Sequence, residues 1–76
     1  MLSVIIYGPP ASGKSLRAEE IRKLYNLEII VDPWFPDDLI PEDSLCLSQV
    51  NPTDERRGWH KGAMVFPIND ILAILP

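Results

Sequence analysis

The chain has 76 residues, 46% of them hydrophobic and 24% charged, with a net charge of −4 at pH 7. That length allows one small domain, and the apolar share is too high for a disordered segment. The acidic balance argues against broad nucleic-acid binding, which needs clustered Lys and Arg, and no apolar stretch reaches the roughly 18–20 residues that span a bilayer.

Residues 3–7 form a short apolar run, the pattern of a parallel strand buried on both faces. Residues 8–15 then read Gly-Pro-Pro-Ala-Ser-Gly-Lys-Ser, a full match to G-x-x-x-x-G-K-[ST] in the strand-before, helix-after setting that the pattern requires. Gly8 and Gly13 permit close backbone approach. The N–H groups from Ser12 to Ser15 are expected to point into one concavity at a helix N-terminus, which is an anion site. Lys14 is expected to reach β- and γ-phosphates as a point charge, and the Ser15 hydroxyl to ligate Mg²⁺. Pro9 and Pro10 offer no N–H and stiffen the turn, while Ala11 is acceptable where φ is negative. The expected nucleotide-contacting set is Gly8, Ala11, Ser12, Gly13, Lys14, Ser15 and Leu16. A Gly/Pro-rich turn that binds nothing is the plainer reading, and the full match in its proper setting outweighs it.

From residue 14 to 25, Ala18, Ile21, Leu24 and Tyr25 recur at helical spacing, with Arg17, Glu19, Glu20, Arg22 and Lys23 mostly opposite; Asn26 suits the C-terminal stop. Residues 27–31 are a second β-rich run. They end in Asp32, whose carboxylate would hold Mg²⁺ directly or through water; an Asp before proline is also an ordinary turn starter. Pro33, not a glutamate, follows, which weighs against efficient hydrolysis. Pro33, Pro36 and Pro41 exclude regular structure between them. A third strand is expected at 45–50, a polar loop at 51–62, a fourth strand at 63–66, and a short final helix at 71–75 capped by Asn69 and Asp70. The expected order is β-α-β-β-β-α, and with so few helices one sheet face is expected to be poorly covered.

Residues 32–55 carry seven acidic side chains and no basic one. A solvated loop is the plain reading of that block; metal coordination and an acidic surface for a basic partner are the others. Arg56 and Arg57 could stabilise γ-phosphate charge or simply be solvated loop charge. Trp34, Phe35 and Trp59 are expected to be satellite core packing rather than base-stacking platforms, and His60 is given no role. Cys46 is expected to be a buried free thiol in a reduced compartment. The N-terminal residues lack the basic stretch and small-residue cleavage site of a secretory signal, so a cytoplasmic protein is expected.

The loop from Gly8 to Ser15 resembles that of the P-loop NTPase superfamily, both AAA-type ATPases and small polynucleotide-kinase-like enzymes. Ile29-Ile30-Val31-Asp32 resembles a Walker B strand. Across most of its length the chain also resembles short phage- and prophage-encoded P-loop proteins. These share the phosphate loop, a helix, an aspartate-bearing strand followed by tryptophan (29–34 here), a short strand (45–50) and a final helix, to which the stretch 63–75 corresponds. It departs from full NTPases in lacking a lid, a base-specificity segment, a catalytic glutamate and several strands. The resemblance implies a minimal P-loop, Rossmann-like α/β domain over residues 1–76, with about four short, mostly parallel strands and two helices. It further implies binding of Mg²⁺ with ATP or GTP and at most slow hydrolysis. The alternatives are a small phosphotransferase with its acceptor near residues 33–41, or a phage-encoded protein that engages a host factor through its acidic 32–55 segment. A homo-oligomer or a host protein partner is expected to complete a site this small.

Overall fold

A computed structural model describes residues 2–9 and 14–75, apart from the Ser15 side chain. The chain runs β1 (Val4–Tyr7), α1 (Lys14–Leu24), β2 (Ile29–Val31), β3 (Ser44–Ser48), β4 (Gly58–His60), β5 (Ala63–Pro67) and α2 (Ile68–Leu72). The five strands form one sheet in the order β2-β3-β1-β5-β4. Within it β2, β3, β1 and β5 run parallel, and β4 pairs antiparallel with β5. The fold is therefore α/β with a mostly parallel sheet and two helices, with one strand more than the sequence indicates.

Strand alternation divides the apolar residues between two faces. Val4 and Ile6 of β1 and Leu45 and Leu47 of β3 pack with Ala18, Ile21 and Leu27 and with Ile68 and Ile71 of α2. Ile5, Cys46 and Val65 point the other way, onto Trp34. Helix α1 stops as expected at Asn26, whose φ is +55°. The Leu27 N–H donates to Arg22 O (2.9 Å) and the Asn26 N–H to Lys23 O (3.1 Å). That pair of bonds is a Schellman motif, and Leu27 then packs beside Ile21.

The second face is not left poorly covered. Residues 32–43 run across it as a strap anchored by Trp34, which is 1% exposed. The Trp34 N–H donates to Leu47 O (2.8 Å), its indole Nε1–H donates to Leu39 O (3.1 Å), and the His60 ring meets it edge-on at 5.8 Å. At the far side Lys61 Nζ donates to Pro36 O (3.1 Å). The Ser3 and Ser44 hydroxyls both donate to Pro41 O, at 2.7 and 2.6 Å. A strap without regular structure can close a sheet face because its carbonyls are satisfied by side chains. His60, without a role in the sequence, is part of this closure.

Three expectations are corrected. The loop expected at 51–62 contains β4, joined to β5 by Lys61 and Gly62 at φ +52° and +86°; two consecutive positive φ values make a tight turn whose twist suits a hairpin. The final helix begins at Ile68 rather than 71. Pro67 ends the strand in extended geometry and forms the N-cap without a side-chain hydrogen bond, and Ile68 and Ile71 place one face in the core. Asn69 and Asp70 thus lie inside the helix and do not cap it. Of the three aromatics expected to pack, Trp34 does, but Phe35 and Trp59 are 56% and 63% exposed. Phe35 follows the anchor on the outer side of the strap, and Trp59 is on a sheet-edge strand.

Cys46 is a buried free thiol. Burial pushes its pKa up, opposed by the Ser44 hydroxyl. The thiolate is the reactive form, so Cys46 is expected to resist alkylation at pH 8 in the native state. It should react fully once urea unfolds the chain, as a thiol-reactive chromophore would record.

Candidate phosphate-loop site

β1 lies between β3 and β5, and the chain leaves its carboxyl end in one direction through α1 to β2 and β3, returning later on the other side to β5. The carboxyl end of β1 is therefore the point at which strand order reverses, where open α/β sheets place their ligand crevice. Residues 8–15 begin there. Gly8 is buried, and its N–H donates to Ser48 O (3.0 Å), extending the β1–β3 ladder to the first residue of the loop. Pro10, Ala11, Ser12 and Gly13 lie outside the described residues, as does the Ser15 side chain.

Lys14, the first residue of α1, is 8% exposed. Its Nζ reaches back across the loop to donate to Gly8 O (2.8 Å) and Pro9 O (2.9 Å). An ammonium so placed joins the two ends of the loop and adds its charge to the partial positive charge of the helix N-terminus. Burial pulls its pKa below the ordinary lysine value, and the negative charge of Asp32 opposes that shift. Lys14 and Asp32 are thus near enough to sense each other. Leu16, in the first turn of α1, is 88% exposed.

Asp32 follows β2, at the same carboxyl edge but not beside β1, because β3 intervenes. Two strand spacings, about 9–10 Å, separate the axes of β1 and β2. Among the described residues no group of three or more His, Cys, Asp or Glu side chains could hold a metal ion by itself.

Arg56 and Arg57 also lie at this edge. The Tyr7 hydroxyl donates to Arg56 O (2.5 Å), which ties the 51–57 loop to the end of β1. Both guanidinium groups are engaged by one carboxylate: Arg56 Nη2 donates to Asp70 Oδ1 (3.2 Å) and Arg57 Nε to Asp70 Oδ2. Tyr7 and Asp70 carry no motif that sequence reasoning could have used. The only signal for Tyr7 is its place immediately before Gly8.

No protein-family model, curated protein or solved structure matches this chain.

Proposed function

We propose that this protein binds the Mg²⁺ complex of ATP or GTP through residues 8–15, with turnover slow if it occurs. The observation that carries the reading is Lys14, laid across a loop of the full G-x-x-x-x-G-K-[ST] pattern at the strand-order reversal of a parallel sheet. Phosphates would be held by the loop N–H groups and Lys14, with Leu16 at the rim. Calorimetric titration of ATP and GTP with Mg²⁺ tests the proposal, and absence of binding to the wild type would remove it.

The donor set suits magnesium. Mg²⁺ takes oxygen ligands, keeps several waters and uses one or two carboxylates together with substrate phosphates; Ser15 and Asp32 provide one hydroxyl and one carboxylate. When bound, the ion would neutralise charge on the β- and γ-phosphates. Asp32 would hold it through water, given the intervening strand. Asp32→Asn is therefore expected to weaken the Mg²⁺ dependence of binding by about tenfold, the scale attached to loss of an outer-shell partner, with little change in magnesium-free nucleotide affinity. An unchanged magnesium titration would remove Asp32 from the site.

Two other readings stand beside it, and the exposed side chains of the strap favour the second. In a phosphotransferase, an acceptor would enter beside the strap that begins at Asp32; phosphate transfer from ATP to a nucleoside or polynucleotide would establish it. In an interaction protein, the exposed Asp37, Asp38 and Glu42, with exposed Phe35 and Leu39 among them, would meet a basic partner. Capture lost on neutralising these carboxylates, yet retained in Lys14→Ala, would favour that reading over nucleotide binding.

A further inference from the structure

Arg56, Arg57 and Asp70 form a cluster with two positive charges and one negative, beside the strand that leads into the phosphate loop. The Asp70 side chain is 13% exposed, whereas those of Arg56 and Arg57 are 73% and 66% exposed. The carboxylate is thus the fixed member and the guanidinium groups the accessible ones. The loop that presents them is internally braced. Asn51 Oδ1 accepts from the Thr53 N–H (3.0 Å), Asn51 Nδ2 donates to Glu55 O (2.6 Å), and the Tyr7 hydroxyl holds Arg56 O from the sheet. Tyr7 is in register with Pro67, and Asp70 follows three residues later. All three anchors therefore lie at the carboxyl edge where residues 8–15 begin.

We propose that Arg56 and Arg57 form an anion clamp for the terminal phosphate of a polyphosphate, with Asp70 as the internal competitor that holds the two arginines in place when it is absent. Two guanidinium groups offer ten N–H donors, and Asp70 uses few of them. A phosphate brings more oxygen acceptors and more charge than a carboxylate, and guanidinium forks match it geometrically. The clamp makes the site selective for longer phosphate chains over monophosphates. Asp70 is a positioning residue, since it acts through the arginines. That the anion is the terminal phosphate of a chain rests on the reading of residues 8–15 as a phosphate site; the clamp as an anion site does not.

The test is calorimetric binding of inorganic tripolyphosphate at low ionic strength, where exposed charges are least screened. Wild type is compared with Asp70→Asn, with Asp70→Ser, and with Asp70→Asn combined with Arg56→Ala and Arg57→Ala, each also in a Lys14→Ala background. Glu28→Gln, which removes an exposed carboxylate before β2 at the opposite edge, sets the effect of net charge alone. Both Asp70 variants are expected to bind about three- to tenfold more tightly than their parent in either background, the scale of two exposed ion pairs. The arginine substitutions should cancel that gain, and Glu28→Gln should not reproduce it. A gain in Asp70→Asn over a wild type that does not bind would support the clamp and count against the loop reading. Tightening that persists without the arginines, that Glu28→Gln matches, or that is absent in both Asp70 variants overturns the clamp, whatever Lys14→Ala does.

Discussion

Lys14→Ala should lower affinity for Mg²⁺-ATP and Mg²⁺-GTP by roughly 30- to 4,000-fold, the range for truncating one member of a buried, hydrogen-bonded charge pair, while the fold is retained. The two halves of this prediction share one cause. In the protein without ligand the ammonium is buried on two carbonyls, Gly8 O and Pro9 O, and burial disfavours its charge. The unfolded chain therefore binds more protons at this position between the lowered native pKa and the ordinary value of 10.5. Stability contributed by Lys14 rises with pH across that window. Bound phosphate acts in the opposite sense: its negative charge favours the ammonium, so affinity should fall as pH rises through the native pKa of Lys14. Lys14→Met keeps the methylene stem and removes both dependences. Parallel measurements of melting temperature and nucleotide affinity from pH 7 to 10 check both slopes. An affinity unchanged in Lys14→Ala would mean that phosphate is not held at this loop.

Much of this arrangement is legible in the sequence because local rules and the fold agree. The apolar run at 4–6, the Asn26 stop and the apolar run at 45–47 each state one structural role, and the structure uses them that way. What could not be read was long-range. β4 is three residues, Gly-Trp-His, with no apolar alternation, and it exists because β5 pairs with it. Its one local signal is Lys61-Gly62, a two-residue turn ending in glycine. The helix expected to be capped at Asn69 and Asp70 starts earlier because Ile68 meets the core, and that decision belongs to tertiary packing. At the site, the motif gives the loop and Lys14. The joining of Arg56 to Tyr7 and of both arginines to Asp70 depends on residues 13 to 49 positions apart, which no spacing rule connects.

Trp34→Ala should destabilise the chain by about 3–5 kcal/mol, the usual cost of truncating a buried aromatic to alanine. At about 0.05–0.15 kcal/mol per residue, a chain of 76 residues has a total stability of roughly 4–11 kcal/mol, so this one change removes a large share of it. The magnitude follows from what Trp34 replaces. Among the described residues no helix covers the face formed by Ile5, Cys46 and Val65; the Trp34 indole does, with Tyr7, Val31 and Ile40 packed beside it, and it is held at its backbone by Leu47 O and at Nε1 by Leu39 O. Trp34→Phe keeps the apolar plug and loses the Nε1–H bond, a cost of about 1 kcal/mol plus the change of shape. Trp59→Ala, which removes an aromatic 63% exposed at the sheet edge, should stay within about 0.5 kcal/mol of wild type. Urea denaturation followed by far-UV circular dichroism orders the three variants, and equal losses at positions 34 and 59 would refute the strap as the closure of this face. The consequence for the site follows from chain order. Asp32 is two residues before the anchor, so the bond from Trp34 N–H to Leu47 O fixes where the strap begins and where that carboxylate stands. In Trp34→Phe, with the anchor kept, nucleotide binding and its magnesium dependence should both survive. In Trp34→Ala, at a temperature low enough for the folded state to persist, the magnesium dependence should weaken before affinity for the phosphates does, because Lys14 is carried by α1 on the other face of the sheet.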